Sequence, residues 1–175
     1  GSRVPGGPPN NEHEYHDANF IQKYLLDGDL GALATGLYLI RWKVAYGLID
    51  SDTDSVWNGL WRNESGSWLR GTSGMAPSDG KCFDLGLCLA SVLLPNDPLF
   101  VRAATVRQTR ILGPRWSWQG GGGDRNLAHW LENCLDWYRA TGNPAFKARA
   151  ELEINHAFAL IGPTQNFFAN TTTGG

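Results

Sequence analysis

Long apolar runs are missing from this sequence. No stretch approaches 18 consecutive apolar residues, so no membrane span is expected. Charge is also sparse: 18% of the 175 residues are charged and the net charge is −2. Residues 1–80 hold ten acids against six bases, and residues 81–175 hold seven acids against nine bases. Neither half supplies the basic face that nucleic acid requires, so nucleic-acid binding is excluded. Cysteine is scarce and odd in number: Cys82, Cys88 and Cys134. An odd count rules out a fully paired disulfide framework. Cys82 and Cys88 lie six apart on one predicted helix and face different ways, so buried free thiols are expected, with a disulfide through Cys134 as the alternative. No cofactor motif is present. The run Gly120–Gly123 is not a phosphate loop, because no Lys-Ser/Thr follows it and no strand precedes it.

Hydrophobic residues, by contrast, reach 42%, which is too many for a disordered chain. There are 22 Gly and eight Trp. The length suits one domain with a real core. The apolar spacing is helical throughout. Phe20, Tyr24 and Leu25 begin a first helix after His16-Asp17, with Asp17 as its cap, and Gly28 suits a left-handed stop. Leu33, Leu37, Ile40 and Val44 follow at spacings of 4, 3 and 4 on a helix from Asp29 or Leu30 to Gly47. A second pair begins near Lys81, with Phe83, Leu87, Ala90 and Leu94 on one face. Asp97 caps the next helix and Pro98 opens it, carrying Leu99, Ala103, Val106 and Ile111 to Gly113. A third pair begins near Asp124 with Leu127, Leu131, Cys134 and Tyr138. Asn143 and Pro144 then start a last helix bearing Phe146, Ala150, Ile154, Ala157 and Ile161, up to Gly162-Pro163.

The expected fold is therefore all-α: three antiparallel helix hairpins, stacked because one hairpin cannot bury its own face. The hairpin domain spans 12–162, between an extended tail at 1–11 and another at 163–175. Two Trp/Gly-rich joints interrupt the helices. One runs Trp57 to Gly74 and the other Pro114 to Gly123. Long loops in a compact domain are usually functional.

The segment His13-Glu14-Tyr15-His16-Asp17, the turn Leu25-Leu26-Asp27-Gly28-Asp29, the Trp-Arg-Asn and Gly-Thr-Ser-Gly segments and the hairpin Tyr138-Arg-Ala-Thr-Gly-Asn-Pro-Ala-Phe146 carry a resemblance. Together they resemble the (α/α) toroid modules of polysaccharide lyases and related glycan-processing proteins, over about residues 12–161. The resemblance implies a ring of repeated hairpins whose aromatic and basic residues bind sugar. Such a ring uses about six hairpins, and this chain supplies three, as a partial toroid or a tetratricopeptide-like arc. It is then either a fragment of a glycan-processing enzyme (a polysaccharide lyase or glycoside hydrolase) or a non-catalytic module that assembles.

Candidate residues follow from these two readings. As an enzyme, Tyr15 or His16 would take a proton from a uronic acid carbon, with Arg125 and His129 as partners one turn apart on a starting helix. No metal site is expected, since His13 and His16 have only carboxylate neighbours. As sugar contacts, Trp57, Trp61, Trp68 and Arg70 on the first joint, and Trp116, Trp118 and Asn126 at the second, offer aromatic faces and polar partners. Asn63 and Asn170 match the N-glycosylation pattern, which implies an extracellular or cell-surface place. In the last tail, Phe167 and Phe168 stand beyond the final helix stop and are expected to serve assembly. A homo-oligomer joined through its tails and open hairpin ends, with a glycan as a further partner, is the expected arrangement.

Overall fold

The computed structural model describes residues 16–50, 58–61, 83–113 and 123–159. They form six helices: α1 (His16–Asp27), α2 (Leu30–Gly47), α3 (Leu85–Leu93), α4 (Pro98–Leu112), α5 (Gly123–Thr141) and α6 (Pro144–Ala159). The described residues contain no strand. One isolated bridge joins Leu48 to Trp61.

Local chemistry sets most of the helix ends. The Asp29 carboxylate accepts from the Ala32 N–H at 3.0 Å and caps α2. Asp97 does the same for Leu99 at 3.0 Å, with Pro98 in the first turn of α4. Asn143 accepts from the Ala145 N–H at 3.0 Å at the start of α6. Each side-chain oxygen takes up a donor that the first turn leaves without an intrahelical acceptor. Gly28 (φ 77°) and Gly142 (φ 69°) close α1 and α5 in the left-handed region, each donating back to a carbonyl of the last turn at 2.8 Å.

The helices pack in two rows. α3 packs on both α1 and α5, and α4 packs on both α2 and α6. Within the pairs, α1 packs on α2, α3 on α4 and α5 on α6. Among the described residues, α1 and α2 make no packing contact with α5 or α6. The central position of α3 explains its composition, Leu-Gly-Leu-Cys-Leu-Ala-Ser-Val-Leu, since a helix covered on several sides needs no polar face. The core includes Ile21, Ile40, Leu87, Phe100, Ile111, Trp130, Trp137 and Phe146.

Two glycines permit the tightest approaches. A Cβ on Gly36 of α2 would stand 2.7 Å from Ile21 and 3.0 Å from the Asp17 carbonyl oxygen of α1. One on Gly86 of α3 would stand 2.4 Å from the Asp17 carboxylate.

Several local expectations need correction. α3 starts at Leu85, so Phe83 precedes the helix instead of lying on it. Asp17 lies inside the first turn of α1 and is buried, with its carboxylate turned to Lys43. On α5 the buried positions are Trp130, Asn133, Cys134, Asp136 and Trp137, while Tyr138 is partly open to solvent. On α6 they are Phe146, Ala150 and Glu153, and Ile154 is exposed. The helix ends at Ala159. Both tails, and most of the two Trp/Gly-rich joints, lie outside the described residues.

Candidate functional site

The densest polar chemistry in the described residues lies in the core. Asp84 precedes α3, and its carboxylate is inaccessible to solvent. The Trp61 indole N–H donates to Oδ1 at 2.8 Å, and the Trp137 indole N–H donates to Oδ2 at 2.8 Å. Arg107 of α4 donates through Nε to both oxygens at 3.1 Å. Its Nη2 lies 3.0 Å from Oδ2 as an ion-pair contact, off the axis of a hydrogen bond. Its Nη1 donates to the Gly59 carbonyl at 2.5 Å. The Asp84 N–H in turn donates to Asn133 Oδ1 of α5 at 2.8 Å. This carboxylate thus joins the 58–61 segment, α4 and α5 at the head of α3. Because its oxygens are occupied, it makes no cap bond to α3 itself.

The 58–61 segment is fixed at both faces. The Ile49 N–H donates to the Leu60 carbonyl at 2.9 Å, and the Gly59 N–H donates to the Ile49 carbonyl at 2.8 Å. Gly59 adopts φ 81°, and a Cβ there would meet Arg110 Cβ at 2.6 Å. Trp61 then enters the core with the Lys43 ammonium 5.2 Å and the Arg107 guanidinium 5.5 Å from its ring centroid. Cations over an indole face are favourable, more so where water is excluded.

A second buried pair lies beside the first. Lys43 Nζ donates to the Phe83 carbonyl at 2.7 Å and stands 3.4 Å from Asp17 Oδ2. The chain segment just before α3 is therefore tied to α1 and α2 as well.

These groups are arranged to hold the helices together. Asp84 has no lone pair turned toward a ligand. Cys88 and Cys134 are free, buried thiols. Burial pushes the Cys134 thiol up to about 12 and the Cys88 thiol well above its ordinary value, so neither supplies a thiolate nucleophile. Asp136 on α5 differs from the rest. Burial, with the Glu132 and Asp84 charges nearby, raises its carboxyl to about 7. Arg139 stands 3.6 Å from Oδ1, and Oδ2 is buried without a hydrogen bond.

The sequence candidates fall in several places. Trp61 is fully buried and hydrogen-bonded, so it offers no face to a sugar ring. This corrects the expectation of a loop contact, and the physical reason is the Asp84 acceptor. His16 is exposed at the start of α1. His129 is partly buried on α5, its ring 4.5 Å from that of Phe83. Arg125 and Asn126 lie in the first turn of α5, and Arg125 stands one turn before His129. Tyr15, Trp57, Asn63, Trp68, Arg70, Trp116, Trp118, Phe167, Phe168, Asn170 and Cys82 lie outside the described residues.

Sequence reading missed Asp84, Arg107, Asp17 and Lys43. An isolated Asp or Arg carries no periodic signal, and only the fold brings these four together. Trp137 had a signal, since Trp130, Cys134 and Trp137 repeat at 4 and 3 along α5.

No protein-family model matches the chain, and neither a curated protein nor a solved structure is similar to it. No helix of the described residues is long and apolar enough to cross a membrane.

Proposed function

We propose that this chain is a non-catalytic structural module that assembles with further copies of itself, built as three antiparallel helix hairpins in an open arc. The observation that carries this reading is the absence of contact between α1–α2 and α5–α6 among the described residues. Each row of helices is left open at both ends, and in stacked helical arrays an uncapped end asks for a neighbour. Apolar side chains stand exposed on both terminal pairs, including Leu26, Tyr38 and Tyr46 on the first and Leu135, Leu152 and Phe158 on the second. Exposed apolar surface of this kind marks interaction sites.

The interior supports a structural role in the same way. Its charged groups are spent on one another across elements, and its thiols are protonated. The aromatic joints, with Trp57, Trp68, Trp116 and Trp118, would add carbohydrate contacts at an extracellular surface. Negative-stain imaging at micromolar concentration tests the assembly. Elongated or curved multimers are expected. A field of uniform 19.2 kDa particles would count against it.

A further inference from the structure

α2 is apolar on more than its buried side. Its exposed or half-exposed positions include Gly31, Ala34, Thr35, Tyr38, Leu39, Trp42, Ala45 and Tyr46. The one charged residue among its exposed positions, Arg41, is paired with Asp97 and lies over the Phe100 ring of α4. A helix apolar all round is normally covered all round. Leu39, Trp42 and Tyr46 lie three and seven apart and make one ridge. At 100° per residue, Leu39 and Tyr46 stand about 140–160° around the helix from Arg41. Because Arg41 reaches α4, this ridge faces away from α4, off the open end of the even-numbered row.

The opposite end of that row is α6. Ala145, Ala148, Leu152 and Asn155 are exposed and lie on its side away from the buried Phe146, Ala150 and Glu153. This stripe has no charge and is mostly small, whereas the neighbouring Lys147 and Glu151 pair with each other. One end of the row thus carries a large aromatic ridge, and the other a shallow uncharged furrow. With 18 and 16 residues, the two helices are about 27 and 24 Å long, so one can lie along the other. Ridges entering grooves is how helices pack.

We infer that the Leu39-Trp42-Tyr46 ridge of α2 docks on the Ala145-Ala148-Leu152 stripe of α6 in a second copy of the chain. The contact is head-to-tail, so each copy offers a fresh ridge to the next. This rests on the assembly proposed above and names the surfaces that make it. A sugar is the poorer occupant of the ridge: the Trp42 and Tyr46 rings pack on one another at 5.4 Å with a 40° tilt and form no flat platform. A two-fold pairing of ridge against ridge would leave the α6 stripe unused.

The test is complementation in the full chain, read by light scattering. Trp42→Glu spoils the ridge and Ala148→Glu spoils the stripe. Each variant alone should be monomeric, because every copy lacks the same half of the contact. Mixed in equal amounts, they should form dimers and nothing larger, since one good ridge meets one good stripe. Ala148→Glu alone forming dimers would overturn the inference in favour of ridge-to-ridge pairing. Monomers in the mixture would overturn it as well, as would unchanged assembly in both single variants. A wild-type chain that is itself monomeric would overturn the assembly proposal and this inference together. Circular dichroism checks the fold of each variant, and Tyr46→Glu, at a 62% exposed position, replaces Trp42→Glu if that chain does not fold.

Discussion

The Arg107 guanidinium and the Asp84 carboxylate meet where neither has any access to water. Taking both charges out of solvent is costly, and the cost is offset by the two indole donors and the Gly59 carbonyl that complete the set. Removing one partner leaves the other charge buried and unpaired. Asp84→Asn and Arg107→Met should each destabilise the chain by about 3–5 kcal/mol in urea unfolding. The double variant should lose clearly less than the sum of the two. Additive losses would show that the pair is not coupled.

Gly36 and Gly86 allow α1 to approach α2 and α3. Gly86→Ala drives a methyl group into the Asp17 carboxylate, and Gly36→Ala drives one into Ile21 and the α1 backbone. Both should lower the melting temperature, by an amount matching about 1–3 kcal/mol of overpacking, although Ala is intrinsically the better helix former. A melting temperature equal to or above wild type at either site would contradict the close packing.

Asp136 gives stability a pH dependence of definite sign. Its folded value of about 7 lies above the ordinary 3.8, so between these limits the folded chain binds more protons than the unfolded one. The contribution of this group therefore makes stability fall as pH rises from 4 to 7, and levels off above 7. Asp136→Asn removes the charge and should be more stable than wild type at pH 8, with the advantage disappearing near pH 4. Chemical denaturation at the two pH values reads this directly. Equal shifts at both would place the carboxylate in an ordinary, solvated state.

Asp97 serves as the α4 cap and as the partner of Arg41. Asp97→Ala should cost about 1 kcal/mol for the cap, with little more for an ion pair whose arginine is largely exposed. Arg41→Ala should cost less than Asp97→Ala. The reverse order, measured by thermal unfolding, would assign the main role to the ion pair.

The helices and their turns were legible in the sequence because they are local. Gly28, Asp97-Pro98 and Asn143-Pro144 state a stop or a start within a few residues, and the structure places helix ends there. Faces were read less well where polar residues lie inside. Asn133 and Asp136 turn inward on α5, so a reading that sends polar residues outward rotates the helix and exposes Trp137 in place of Tyr138. Trp61 misled for the same reason. Its surroundings are Gly, Asn and Arg, the composition of a surface loop, while its true partner is Asp84, 23 residues later. Contacts of that separation depend on the whole fold, and no local spacing encodes them.

The central claim is that one chain leaves its helix rows open and that another copy continues them. Sedimentation velocity of the wild-type chain across the micromolar range tests it most directly. The account predicts a weight-average mass that rises with concentration well beyond 19.2 kDa, without a plateau at two chains. A single species at the monomer mass throughout would contradict it.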